Sequence, residues 1–269
     1  MPAPSAPDLQ PGIVVFSVLD PASAEQVVLL MQSRASVPDT TGQIIAPNDP
    51  IVSSGETPIT GARVVLYGST GDSAVAIEDR VLRSDHLGAG VYRFYSGLQS
   101  VAPRGAYIPI VAGRTYRLRV SSTLGDAEGT TRVPTVDRVT AGPARNLNMA
   151  RDSVVLTNNP QAAGYVYSLR AANGTSTEGD LQYHRDFERR LILPTGDAWA
   201  FAFVRERFVL ASRHVLTVSA ADSNYFEYYG AQGDPFADRT QRTTLKGAAG
   251  VFGSVLVIVA LPVTVTQVP

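Results

Sequence analysis

The sequence predicts an all-β chain built as sandwiches, and three observations carry that reading. Arg114–Val120 alternates strictly, with Tyr116, Leu118 and Val120 on one side and Thr115, Arg117 and Arg119 on the other; this is the period of a half-buried antiparallel strand. Short segments of the same kind recur along the chain, punctuated by its 23 glycines and 18 prolines, a spacing typical of sandwiches. Near the end, Gly247–Val263 is an uncharged run rich in valine, the pattern of a strand buried on both faces.

The elements follow in order. Residues 1–12 hold three prolines in the first seven positions and predict an extended leader. They lack the charged and apolar regions of a secretory signal, so the expectation is an exported chain whose signal has been removed. Strands are expected at Ile13–Leu19, Gln26–Met31, Ala62–Tyr67, Val75–Glu78 and Val91–Tyr95, with hairpin residues at Gly68–Asp72. Gln32–Pro58 carries Pro38, Pro47, Pro50 and Pro58 among polar and small residues and reads as a long loop, a class often functional. Ser121–Thr131 reads as a plain polar hairpin connection. Val133–Pro143 looks like an interdomain crossing, dividing the chain into the leader, a first domain over 13–140 and a second over 141–269.

In the second domain strands are expected at Asp152–Thr157, Tyr165–Arg170, Phe187–Leu193, Trp199–Arg205, Arg207–Leu210 and Val215–Ser219. One short helix is expected at Ala220–Gly230, opened by a capping box of Ser219 and Asp222 and stopped at Gly230. Its Tyr225, Tyr228 and Tyr229 form a packing stripe. Gly247–Val263 reaches the minimum length of a bilayer-crossing helix, but its three glycines, Pro262 and β-branched run make it a strand. Association with a membrane is therefore expected to be peripheral.

Composition excludes more than it assigns. There is no cysteine, which removes disulfides, thiolate nucleophiles and thiolate metal sites. Lys246 is the only lysine beside 22 arginines, so amine chemistry would rest on one residue. The net charge is −1; residues 1–140 carry 11 Arg and 13 acids, and 141–269 carry 11 Arg, Lys246 and 11 acids. Neither half is basic enough for nucleic acid, and no nucleic-acid partner is expected.

Candidate chemistry is sparse. Gly71-Asp72-Ser73 has the letters of an esterase nucleophile block, but a tight turn explains it. Ser84-Asp85-His86 holds the triad residue types side by side, whereas triad members meet from separate elements. His184, Asp186 and Glu188 are the best candidates for a metal or acid–base site, because i, i+2 and i+4 share a face of a strand. Flanking Arg185, Arg189 and Arg190 oppose a cation there, so no metal and no cofactor are expected. His86 and His214 are isolated. The glycines of Gly247–Gly253 lead into a valine run rather than a helix, so they form no phosphate loop. Asn173-Gly-Thr175 reads as a turn.

Several blocks together resemble an uncharacterised family of bacterial cell-envelope lipoproteins associated with TonB-dependent outer-membrane uptake systems. They are Gly61–Leu66, Gly90-Val91-Tyr92, Gly113–Leu118 and Val133-Pro134, then Tyr225–Tyr229, Gly233–Phe236 and Gly250–Gly253. The resemblance implies an immunoglobulin-like sandwich followed by a second β-rich, sandwich-like region with one short helix, outside the cytoplasm. The family's lipid-bearing cysteine has no counterpart here, and the resemblance carries over no catalytic residue.

The functional expectation is a non-catalytic periplasmic protein that binds or scaffolds an integral membrane protein complex as an extrinsic accessory subunit. The alternative is a carbohydrate- or small-ligand-binding sandwich using Tyr92, Tyr95, Tyr107 or Tyr183. An enzyme built on His184, Asp186 and Glu188 is the third reading.

Overall fold

The structure is a computed structural model that describes residues 12–32, 57–79, 90–135, 145–148, 153–155, 162–171, 182–184, 190–192, 213–230 and 244–266. The chain groups into two compact units, each discontinuous in sequence. One gathers Met1–Ile110, Arg114–Thr131 and Asp238–Gly253; the other gathers Val111–Gly113, Arg132–Ala237 and Ser254–Pro269. Residues 244–253 are thus grouped with strands from the start of the chain.

The first unit holds β1 (Ile13–Leu19), β2 (Glu25–Gln32), β3 (Thr57–Pro58), β4 (Arg63–Gly68), β5 (Ser73–Val75), β6 (Ile77–Asp79), β7 (Val91–Tyr95), β8 (Thr115–Ser122) and β9 (Gly125–Arg132). β1, β2, β7 and β6 neighbour one another in that order in one sheet, with β3 on β2. β9, β8, β4 and β5 form the other. In sequence order these are strands A, B, E and D facing G, F, C and C′, the strand order of an immunoglobulin-like sandwich. The Tyr116 hydroxyl, at the start of the F-equivalent strand β8, donates to the Pro109 carbonyl at 2.7 Å, which reproduces the tyrosine corner of such domains. The fold is immunoglobulin-like on its own strand order.

Each strand forms because its alternation puts one row inside. Val64, Leu66, Tyr116, Leu118 and Val120 from one sheet meet Leu19, Val28, Leu30, Tyr92 and Phe94 from the other, all 1% exposed or less. At about 25 cal/mol per Å² of apolar surface, each such side chain contributes roughly 1.5–3 kcal/mol. Core pairs sit in register across the strands, Val64 opposite Val120 and Leu66 opposite Leu118.

Two sequence expectations are corrected here. Ser121–Thr131 is not a connection: Gly125–Arg132 is strand β9, and only Thr123 and Leu124 turn. Its inward row is Ala127, Gly129 and Thr131, too small and polar to register as a hydrophobic period. A Cβ on Gly129 would lie 2.6 Å from Leu245 Cδ2 and 3.2 Å from Phe252 Cβ, so any larger residue there requires those side chains to shift. Val75–Glu78, expected as one strand, is two: β5 pairs with β4 and β6 pairs with β7, and the chain changes sheet at Ala76.

The return segment adds β16 (Leu245–Lys246), paired with β9 through Leu245 opposite Gly129 and Lys246 opposite Glu128. It continues into β17 (Ala248–Thr266). Gly250 has φ +103°, and a Cβ there would lie 2.0 Å from the Val15 carbonyl oxygen, a close approach only glycine allows. Val251 and Phe252 are fully buried.

The second unit contains β10 (Arg145–Asn148), β11 (Ser153–Val155), β12 (Gly164–Ala171), β13 (Gln182–His184), β14 (Arg190–Ile192), β15 (Arg213–Ala221), helix α1 (Ser223–Gly230) and the remainder of β17. Its main sheet runs β13-β12-β15-β17, with β10 parallel to β17, while β11 and β14 pair separately. The 247–263 run is thus strand, and no helix among the described residues is long and apolar enough to cross a membrane. Expected strands at 199–205 and 207–210, the leader residues 1–11 and most of the 32–58 loop lie outside the described residues.

The helix begins three residues later than expected, and its cap differs. Ser219 belongs to β15, opposite Val257, so no capping box forms. Asp222 is the cap residue: its Oδ1 accepts from the Tyr225 amide at 3.0 Å and from the Ser254 amide at 3.0 Å. One buried carboxylate therefore starts the helix and ties it to β17. Tyr225 and Phe226 are buried, and a Cβ on Gly164 would lie within 2.1 Å of the Phe226 ring.

Candidate functional site

Three features of the first unit stand apart from its core. The first is the outer face of the β1-β2-β7-β6 sheet. Arg93 on β7 is flanked by β2 and β6, opposite Val27 and Ile77 respectively. Its Nη1 donates to Glu25 Oε2 at 2.8 Å and its Nε to Asp79 Oδ2 at 2.8 Å. Partial burial alone would lower the guanidinium pKa, but the hydrogen bonds and charges of Asp79 and Glu25 outweigh it and raise it above its ordinary value. This arginine is consumed by its own sheet, clamping three strands.

The second feature is the outer face of the β9-β8-β4-β5 sheet. Tyr67 lies opposite Arg117, Val65 opposite Arg119 and Arg63 opposite Ser121. Arg63, Arg117 and Arg119 are all exposed. No ion pair involves any of them among the described residues. Arg117 places its guanidinium carbon 4.8 Å from the Tyr67 ring centroid, a cation–π contact. Val65, buried on this outward side, separates the arginines from Val75, which is 42% exposed at the edge.

The third feature is the loop from Ser96 to Gly105. Leu98, which precedes a single 3₁₀ turn at Gln99–Val101, and Val101, the turn's last residue, are each 72% exposed, the largest exposures among the described bulky apolar residues. The base is tightly held. Ser96 and Gly97 amides donate to Ala24 O at 2.8 and 3.1 Å. Buried Gln26 donates from Nε2 to Ser96 Oγ at 2.8 Å, and Ser96 Oγ donates to Ser23 O at 2.7 Å. At the other end, Val75 N donates to Gly105 O at 2.8 Å and Tyr95 N to Ala106 O at 2.9 Å. Gln26 also closes the β1–β2 turn through both backbone groups of Asp20. Burial raises the Asp20 carboxyl pKa, opposed in part by the Ala22 amide.

The residues singled out from sequence fall elsewhere. His184 is the last residue of β13, in register with Tyr165; Asp186 and Glu188 lie outside the described residues. Among the described residues no three metal-ligating side chains cluster. His86 also lies outside them, and His214 is a β15 position opposite Ala171. Gly71-Asp72-Ser73 is a turn, in which the Thr70 hydroxyl donates to the Asp72 carboxylate and Gly68 N donates to Asp72 O at 2.8 Å. Tyr92, expected as a ligand-binding handle, is instead a core residue: its hydroxyl donates to Ile59 O and accepts from Ala62 N, both at 2.9 Å. Tyr95 and Tyr107 are half-buried and joined by a backbone bridge, and Tyr183 pairs with Val166. The arginine face was visible in the Arg117/Arg119 alternation, but nothing in the sequence separates those residues from Arg93.

No family model matches the chain, and no curated protein matches it. Among solved structures it is similar to a two-domain fibronectin type III segment of chicken tenascin at 9% identity, covering 80% of this chain and 93% of that one with a TM-score of 0.21. It is also similar to the FN1–FN3 domains of chicken CNTN1 at 12% identity, covering 96% of this chain and 67% of that one with a TM-score of 0.19.

Proposed function

We propose that the chain is a non-catalytic protein of the bacterial periplasm or cell envelope that binds and braces an integral membrane protein complex as an extrinsic accessory subunit. The Ser96–Gly105 loop carries this reading. Two aliphatic side chains left largely in water return nothing to the fold, while the hydrogen bonds beneath them fix their position. A contact residue held rigid before binding loses little conformational entropy on docking, so the arrangement suits a recognition element. Burying Leu98 and Val101 against a partner would contribute roughly 3–5 kcal/mol from apolar area. The block resemblance to envelope lipoproteins supports the location.

The test is co-purification of the tagged full chain from native membranes, beside a Leu98→Asp/Val101→Asp variant. The wild-type chain is expected to recover an integral membrane complex, and the variant to lose it without loss of fold. Recovery of no membrane protein, or equal recovery by the variant, would defeat the reading.

A further inference from the structure

We infer that the outer face of the β9-β8-β4-β5 sheet is a second contact surface, and that it takes an extended protein segment with carboxylates at alternate positions. The inference rests on reading the chain as a binding protein, but on a different surface from the loop. Arg117 and Arg119 are two residues apart on β8 and so roughly 7 Å apart along the strand. Arg63, opposite Ser121, is diagonal to Arg119 at about 7–8 Å between Cα positions. An extended acidic segment of the pattern Glu-x-Glu repeats its carboxylates at the same interval, one per guanidinium. Each fork can then accept a carboxylate through two parallel N–H bonds, the geometry for which arginine is suited and lysine is not.

Three observations favour this occupant. The arginines are exposed and have no carboxylate partner among the described residues, whereas Arg93 in the same unit holds two. Arg117 lies over the Tyr67 ring, a contact that restricts one of the three side chains before any partner arrives. Between and beside the charges lie Val65 and exposed Val75, which give the uncharged intervening positions of a peptide something apolar to rest on. Asp126 and Glu128 occupy the outward row of β9 on the same face, so the segment is expected to lie over β8 and β4, away from β9. Five cations (Arg63, Arg117, Arg119, Arg132 and Lys246) against these two acids leave +3 on the face.

The experiment is fluorescence anisotropy on the full chain with a labelled peptide of four Glu-Ser repeats, its Gln-Ser counterpart and an oligothymidine of equal length. The glutamate peptide should bind at least about tenfold more tightly than the glutamine peptide, and weaken steeply with added salt. Arg117→Glu/Arg119→Glu should weaken it by about tenfold or more, and the milder Arg119→Gln severalfold, while Arg104→Glu in the loop should leave it within about twofold. Melting curves matched to wild type establish that the variants are folded. Equal binding of the glutamate and glutamine peptides, insensitivity to the Arg117/Arg119 changes, or tighter binding of oligothymidine would each overturn the proposal. Those failures would leave the Leu98/Val101 reading standing, because membrane co-purification does not use this peptide.

Discussion

The two outer faces of the immunoglobulin-like unit use arginine in opposite ways. On one, Arg93 sits between Glu25 and Asp79 and its charge is spent holding β2, β7 and β6 together. On the other, Arg63, Arg117 and Arg119 project from β4 and β8 without a carboxylate. The same side chain on the same kind of half-buried strand is structural where it closes on acids of both neighbouring strands, as Arg93 does on Glu25 and Asp79, and available on the other face, where Arg63, Arg117 and Arg119 pair with neither Asp126 nor Glu128 of β9.

That contrast can be broken or sharpened by a graded set of variants. The largest effects should come from the shared core. Leu118→Ala beneath the open arginines and Phe94→Ala beneath the clamped one are each expected to cost about 2–5 kcal/mol in urea unfolding. Similar losses would confirm that the two faces differ only in their outer rows, whereas a small loss at Leu118 would mean that β8 is not part of the core. Gly129→Ala comes next, expected to cost about 1–3 kcal/mol by overpacking against Leu245 and Phe252; wild-type stability would remove the claimed contact.

The arginine comparison is smaller in energy and clearer in sign. Arg93→Leu should destabilise the unit by about 0.5–1 kcal/mol, because its ion pairs are partly exposed, and the loss should shrink in high salt. Arg117→Leu and Arg119→Leu should stay within about 0.5 kcal/mol of wild type. If the order were reversed, the assignment of structural and available arginines would be wrong.

The smallest expected effect concerns Asp20. Its folded-state pKa lies above the unfolded value of 3.8 because of burial. Between those two values the folded chain binds more protons than the unfolded one, so this carboxyl makes stability fall as pH rises through the window. Asp20→Asn should remove that pH-dependent component and raise stability slightly near neutral pH. An unchanged pH profile would count against the burial of this group.

How much of this was legible in the sequence depends on which residues carried it. The Arg114–Val120 alternation identified β8 and its two faces, because its inward residues are large and apolar. Strand β9 was not legible, since Ala127, Gly129 and Thr131 face inward without a hydrophobic signature. The cap at Asp222 was half legible: the residue is right, but the Ser254 amide it also binds lies 32 positions away. Arg93 could not be told from Arg117, because its partners lie 14 and 68 positions off. The split of Val75–Glu78 between two sheets turns on one residue, Ala76, whose amide donates to Val64 O at 2.9 Å. Periodicity describes the strand. It does not name the neighbour.

The return of residues 244–253 to the first unit also bears on how the chain is made. During synthesis β9 emerges with its small inward row uncovered, and Leu245 and Phe252, which close over Gly129, are translated more than a hundred residues later. At about 5–20 residues per second that gap lasts on the order of ten seconds. Throughout that interval the native cover of Gly129 by Leu245 and Phe252 cannot form. In this unit the contacts that complete the sandwich therefore wait on residues made late in translation.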